Sequence, residues 1–275
     1  MTDHFNRNSI DNRLKATLIA LANEMADAAR EAILPLFRTD HLNISSKETH
    51  RFDPVTDADK LAEQAMRKIL KKKRPDDGII GEEYNNTKGS SGLTWVLDPI
   101  DGTQAFLSGT PTWGVLIALS DSGGPFLGVI DQPYISERFI GGLGKALYTG
   151  PHGQKLLKTR IINSLEDATL FTTFPEVGRN RDYNGFKAVH DRVKLVRYGM
   201  DCYAYGLLAA GHIDLVIEAN LQTYDIQAPI AVVEASGGLI TNWLGGPAHK
   251  GGQAVAAANK ELLKEVLPLL QPFAD

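Results

Sequence analysis

Six residues, Asp98-Pro99-Ile100-Asp101-Gly102-Thr103, set two carboxylates and a glycine-threonine turn directly after the apolar run Trp95-Val96-Leu97. Carboxylate oxygens are hard donors that suit Mg²⁺ or Mn²⁺ better than zinc, which would call for His and Cys. The apolar run reads as the end of a buried strand, so both aspartates emerge at a strand's C-terminal edge, where α/β proteins place ligands. Pro99 fixes φ, Gly102 lets the backbone approach a ligand, and Thr103 can open a helix whose first amides bind anions. The same residues also describe a helix-capping turn with acids in its first turn. The rest of the chain must decide between cap and metal-phosphate site.

Further acids sit where a strand or turn meets a helix. Glu82 and Glu83 follow the strand-like pair Ile79-Ile80. Asp225 stands at the start of a helical segment leading to Glu234-Ala235-Ser236-Gly237-Gly238; alone it reads as an N-cap, and the glycines as a helix stop. Asp57 and Asp59 follow Thr56 in a Ser/Thr-x-x-acid pattern and can be first-turn acids only. The histidines, at 4, 41, 50, 152, 190, 212 and 249, lack metal-ligand spacing, and no Gly-x-Ser-x-Gly elbow accompanies them.

The elements that must position these acids can be read from periodicity. Leu14, Leu18, Leu21, Met25, Ala29, Ile33 and Leu36 recur at helical spacing and predict a helix over 13–37. A second helix starts at Thr56, carries Leu61, Ala65, Met66 and Ile69, and stops at Pro75. Lys71-Lys72-Lys73-Arg74 is then its dipole-favoured last turn. From Trp95 to Tyr148 strands near 113–119, 126–131 and 137–142 predict an antiparallel meander. The second half alternates strands at 169–174, 194–198, 213–218, 238–243 and 254–258 with helices at 182–192, 201–210, 225–235 and 259–270. Such alternation implies helices covering a sheet, hence a mixed α/β fold.

The 275 residues, 43% apolar and 23% charged, describe a globular chain, read as one unit of two halves, 1–150 and 151–275. A net charge of -4 gives no footprint for nucleic acid. No apolar stretch approaches the ~20 residues of a membrane span, and the polar start Met1–Arg7 does not read as a signal peptide. One cysteine, Cys202, allows no internal disulfide and reads as a small buried residue in a reducing compartment. The expected location is the cytoplasm, with neither membrane nor nucleic acid as partner.

Taken together, Asp53-Pro54-Val55-Thr56-Asp57-Ala58-Asp59, Gly81-Glu82-Glu83, the Asp98 to Thr103 run, and Asp225 followed by Glu234 to Gly238 resemble the inositol monophosphatase superfamily of metal-dependent phosphomonoesterases, in the family's order and approximate spacing. The resemblance runs from about residue 14 to 270 and implies a layered α-β-α-β-α sandwich. Two stretches, Asp101 to Gly114 and Arg197 to Gly206, are most similar to the histidinol-phosphate phosphatase branch. Inositol-directed relatives usually have a small residue where this chain has Asp201.

By that resemblance Glu82, Asp98, Asp101 and Asp225, with the main-chain carbonyl of Ile100, hold two or three Mg²⁺ ions, Mn²⁺ being an alternative. The Thr103 hydroxyl, paired with Asp53, orients and deprotonates the metal-activated water alongside Glu82, and no covalent phosphoenzyme is needed. The Gly102 and Thr103 amides hold phosphate oxygens, and Gly199, Met200, Asp201 and Glu218 line the alcohol pocket. Histidinol phosphate carries an ammonium and an imidazole, which Asp201 and Glu218 could pair. The lesser alternative for Asp201 is an N-cap of the helix that follows; Glu83 reads as a support behind a ligand or an exposed acid, and Arg197 as an orienter of an acid. Pro229 is expected to distort the first turn of the Asp225 helix. The resemblance further implies a homodimer and a small phosphomonoester as substrate.

Inositol, fructose bisphosphate and nucleotide 3′-phosphatase activities are alternatives within the family. Haloacid-dehalogenase phosphatases also use an Asp-rich turn, but their second Asp follows at two residues, whereas Asp98 and Asp101 are three apart. A catalytically silent binding protein would be expected to have lost a ligand, and all four carboxylates and Thr103 are present.

Overall fold

A computed structural model describes residues 7, 10–39, 44–46 and 54–275. Helix α1, Asn12–Ile33, is capped by Asp11, whose Oδ1 accepts the Leu14 N–H at 2.7 Å. The periodic pattern continues to Phe37, yet the α-helix stops at Ile33 and a 3₁₀ turn, Leu34–Leu36, follows. Pro35 is the reason: it offers no N–H and its ring crowds the preceding turn. Helix α2, Asp57–Lys73, starts on a capping box in which Thr56 and Asp59 each satisfy the other's end, so Asp59 does act as a first-turn acid.

A short hairpin, β1 (Ile44–Ser46) and β2 (Pro54–Thr56), leads into α2. A seven-stranded sheet follows in chain order: β3 (Gly78–Gly81), β4 (Thr94–Asp101), β5 (Gly114–Asp121), β6 (Gly124–Gln132), β7 (Glu137–Gly142), β8 (Lys145–Gly150) and β9 (Gly153–Leu156). Strand β3 is parallel to β4; every later pair is antiparallel, as the meander reading expected. Between β4 and β5 lies the short helix α3, Thr103–Ser108.

The second half supplies β10 (Thr169–Thr172), α4 (Asn180–His190), β11 (Leu195–Tyr198), α5 (Tyr203–Ala209), β12 (Leu215–Leu221), α6 (Thr223–Ala235), β13 (Leu239–Thr241), β14 (Gly252–Ala257) and α7 (Lys260–Leu270). Its five strands run in the order β11-β10-β12-β14-β13, with β10 parallel to both neighbours and β14 antiparallel to both of its own.

Strand alternation sorts the side chains into layers. Trp95, Leu97, Val115, Ile117 and Val129 face α1 and α2. Val96, Leu116, Ala118 and Ile130 point to the other side, against α5, α6 and the inner face of the five-stranded sheet, represented by Phe171, Val216 and Ala254. That sheet's outer residues, Leu170, Leu215, Ile217 and Val255, pack on α4 and α7. The order is therefore α-β-α-β-α, as the family resemblance implied.

Helix α6, which shares the middle layer with α5, carries Asp225, and two glycines let it sit close. Gly128 and Gly141 are cross-strand partners on β6 and β7; a Cβ on Gly128 would strike the Ala228 carbonyl, and one on Gly141 the Val232 main chain. Backbone cannot yield as a side chain tip does, so Gly141→Ala is expected to destabilise by about 1–3 kcal/mol. Thermal or denaturant unfolding reads this directly, and an unchanged midpoint would mean that α6 shifts freely.

Pro229, buried inside α6, does not break it: the helix runs on to Ala235. The expected distortion of the first turn is not seen, since Pro229 lies a full turn beyond Asp225 and loses only the bond to that residue's carbonyl.

Candidate metal centre

Residues three apart on a regular strand face opposite sides of the sheet. Asp98 and Asp101 escape this because β4 is bulged between them: Asp98 pairs Leu116 and Asp101 pairs Gly114, three steps opposite two. Pro99 falls inside the bulge, where no ladder N–H is needed. The aspartates therefore lie within the strand's bulged C-terminal end, which runs on to Asp101. Gly102, at φ +86°, then turns the chain into α3.

Asp98, Asp101 and Asp225 each offer a carboxylate oxygen within 4.8 Å of the other two. Each is also held by one main-chain N–H. Asp98 Oδ1 accepts from Ile100 at 3.1 Å, Asp101 Oδ2 from Cys202 at 2.6 Å, and Asp225 Oδ2 from Gln222 at 2.6 Å. Asp225 is thus the third residue of α6 in a capping box, not its N-cap, and its position places a negative charge at a helix N-terminus. Glu82 enters from the end of β3, with its N–H donated to the Leu97 carbonyl at 3.3 Å, beside Asp98. Its carboxyl also groups with those of Asp59 and Glu83 within 4.8 Å. Thr103 Oγ1 donates to the Ile100 carbonyl at 3.2 Å. Asp53 lies outside the described residues.

The electrostatics ask for a cation. Asp98 is pushed well above the usual carboxylate range by burial and then by Glu82, Asp101 and Asp225; Asp101 is pushed up by burial and then by Asp201 and Asp225. Among the described residues no lysine or arginine pairs with Asp98 or Asp101. The clustered donors are all carboxylate oxygens, with no His or Cys in either group. Such a set fits a hard divalent cation, which would neutralise charges that otherwise repel.

The second half presents the C-terminal ends of the parallel strands β10, β11 and β12 to this centre, the edge where α/β sheets bind ligands. Gly199, exposed at φ +75°, follows β11, and Met200 is half-buried against the middle layer. Asp201 is not the N-cap of α5: Cys202 occupies that position, and Asp201 takes φ +46°, a left-handed conformation that Asp tolerates. Its side chain lies over Gly102, Cγ being 2.7 Å from where a Cβ would stand, and its Oδ2 accepts from Thr112 Oγ1 at 3.0 Å. Arg197 is exposed and forms no ion pair among the described residues. Thr112 was present in the sequence pattern but without a role, because its partner is 89 residues away.

Glu218, buried in β12, accepts from the Thr173 N–H at 2.7 Å and its hydroxyl at 2.9 Å. Burial, reinforced by Asp201, pushes its carboxyl from 4.5 to about 7. The folded protein then keeps a proton that the unfolded chain releases near pH 4.5. The associated stability is present below that pH and is lost as pH rises through about 7, on the order of 3 kcal/mol in all. Melting temperatures of chelator-treated protein should therefore fall more steeply from pH 5 to 8 than those of Glu218→Gln. Parallel curves would refute the buried-acid assignment.

The profile of the inositol monophosphatase family matches residues 14–272. Bifunctional phosphatase IMPL2, chloroplastic, of Arabidopsis thaliana is 43% identical over 228 residues, which are 82% of this chain and 64% of that longer protein. A histidinol-phosphatase of Mycobacterium tuberculosis is 34% identical over 92% of this chain and 97% of its own length. Among solved structures, an inositol monophosphatase from Zymomonas mobilis superposes with a TM-score of 0.82 at 39% identity, over 93% of this chain and 98% of that one. No helix among the described residues is long and apolar enough to cross a membrane.

Proposed function

We propose that this chain, which belongs to the inositol monophosphatase family of metal-dependent phosphomonoesterases, hydrolyses histidinol phosphate to histidinol and phosphate at the Asp98–Asp101–Asp225 centre, with Mg²⁺ as its cation. One observation carries the metal reading: three converging carboxylates, each with one oxygen fixed by a backbone N–H. Fixing them in advance spares the site the cost of ordering ligands when a cation arrives.

Glu82, Asp98, Asp101, Asp225 and the Ile100 carbonyl would hold the cations. Bound there, two or three divalent ions would polarise the phosphoryl oxygens and lower the pKa of an attacking water. The rest falls to the chain. The Glu82 carboxylate takes the water's proton, with Thr103 Oγ1 and Asp53 orienting that water. Gly102 and Thr103 present main-chain amides to the phosphate, and α6 adds a positive helix end behind Asp225.

The substrate reading rests on Asp201, a carboxylate laid over the glycine that would meet the phosphate. A neutral polyol would need hydroxyl partners there; an amino alcohol bearing an imidazole gains from an acid. Glu218 and the Gly199–Met200 turn complete the proposed pocket. The likeness to an inositol monophosphatase favours inositol 1-phosphate as the competing substrate. Measured kcat/KM on histidinol phosphate, inositol 1-phosphate, fructose 1,6-bisphosphate and 3′-phosphoadenosine 5′-phosphate decides between them. The proposal expects histidinol phosphate to lead, and a lead for inositol 1-phosphate would overturn it.

A further inference from the structure

Helix α2 turns a polar stripe toward the Glu82 turn: Asp59, Glu63 and Arg67, spaced four residues apart. Glu63 and Arg67 stand at i and i+4, the spacing of an ion pair on a helix surface. The Glu63 side chain, however, is 0% exposed. Its Oε1 accepts from Arg67 Nε at 2.7 Å and its Oε2 from the main-chain N–H of Glu83 at 2.7 Å. Arg67 Nη2 reaches past it to the Tyr84 carbonyl at 3.1 Å. On the near side Gly81 presses so closely on Glu63 that a Cβ would collide with the carboxylate. The two residues after Glu82 are thus fastened to α2 and Gly81 before it is packed against Glu63, while the Glu82 N–H itself is fastened to Leu97 of β4.

A buried ion pair adds little stability over an apolar pair of the same volume. The distinctive result of this one is geometric: it bonds the main chain just after Glu82 and packs against Gly81 just before it. We propose that Glu63 and Arg67 are positioning residues that set the attitude of Glu82 and, through it, the affinity of the centre for divalent cations. The inference rests on the reading of Glu82 as a ligand. Groups that orient a metal ligand from behind typically change affinity by about 10–100-fold when removed.

The test uses the full-length chain, stripped with chelator and titrated with Mn²⁺ while the free ion is followed by electron paramagnetic resonance. Wild type is compared with Glu63→Gln, Arg67→Met and Glu82→Gln, each checked for its folded fraction by circular dichroism. The expected result is a roughly 10–100-fold weaker Mn²⁺ affinity in both α2 variants, with a matching rise in the Mg²⁺ concentration that half-saturates phosphate release. A merely structural role would lower the folded fraction without moving that half-saturation point. Affinities within twofold of wild type in Glu63→Gln and Arg67→Met, alongside a loss in Glu82→Gln, overturn the clamp alone. Unchanged affinity in Glu82→Gln overturns the ligand reading and the clamp with it.

Discussion

Replacing Asp101 with Asn is expected to lower kcat by about 10³-fold or more while leaving the fold intact. Loss of a charged ligand removes several kcal/mol of charge stabilisation, and each 1.36 kcal/mol is a factor of about ten in rate. The amide's carbonyl oxygen can still accept the Cys202 N–H that Asp101 Oδ2 holds at 2.6 Å, so α5 keeps its anchor. Stability should move the other way. Burial, Asp201 and Asp225 push the Asp101 carboxyl up, so without a cation its ionised form is disfavoured in the folded state. Above the ordinary carboxylate pKa of the unfolded chain, that penalty weighs on the wild type and not on the variant. Chelator-treated Asp101→Asn should therefore melt a few degrees higher than wild type at pH 8. Retained turnover would remove Asp101 from the centre, and a collapse of the melting temperature would recast it as a structural acid.

The second large effect concerns Asp201. Asp201→Asn suits the test better than Asp201→Ala, because Asn tolerates the φ of +46° and keeps an acceptor for Thr112, whereas Ala would add backbone strain. A hydrogen bond to a charged group contributes about 1.5–3 kcal/mol. The substitution should accordingly lower kcat/KM on histidinol phosphate by about 10–100-fold, and on inositol 1-phosphate by far less. Steady-state kinetics on both substrates reads the difference. Equal losses would mean that Asp201 tunes the metal centre through Asp101 and does not select the alcohol.

Much of this was legible in the chain. The amphipathic period of Leu18, Leu21, Met25 and Ala29 gave α1, and the punctuated apolar runs gave β5, β6 and β7, because each buries one face against a different layer. Strand β9 escaped notice because all of its residues are exposed, which leaves no alternation to read. Helix α3 is too short to show a period. The acids of the centre could be picked out by type and spacing, but their convergence could not. It depends on a bulge in β4, on a glycine seat under α6, and on an N–H from Cys202, which is 101 residues from Asp101. Glu63 shows the limit most plainly, since an i,i+4 pair with Arg67 looks the same in sequence whether it faces water or a buried turn.

The central claim is that these carboxylates form a divalent-cation centre that drives phosphate release. It is tested most directly by titrating Mg²⁺ into chelator-treated protein with histidinol phosphate and measuring phosphate, for wild type, Asp98→Asn and Asp225→Asn. The account predicts no release without the cation, saturable activation of the wild type, and activation that is lost or shifted to far higher Mg²⁺ in both variants. Phosphate release that persists under chelator, or an unshifted Mg²⁺ response in Asp98→Asn and Asp225→Asn, would contradict it.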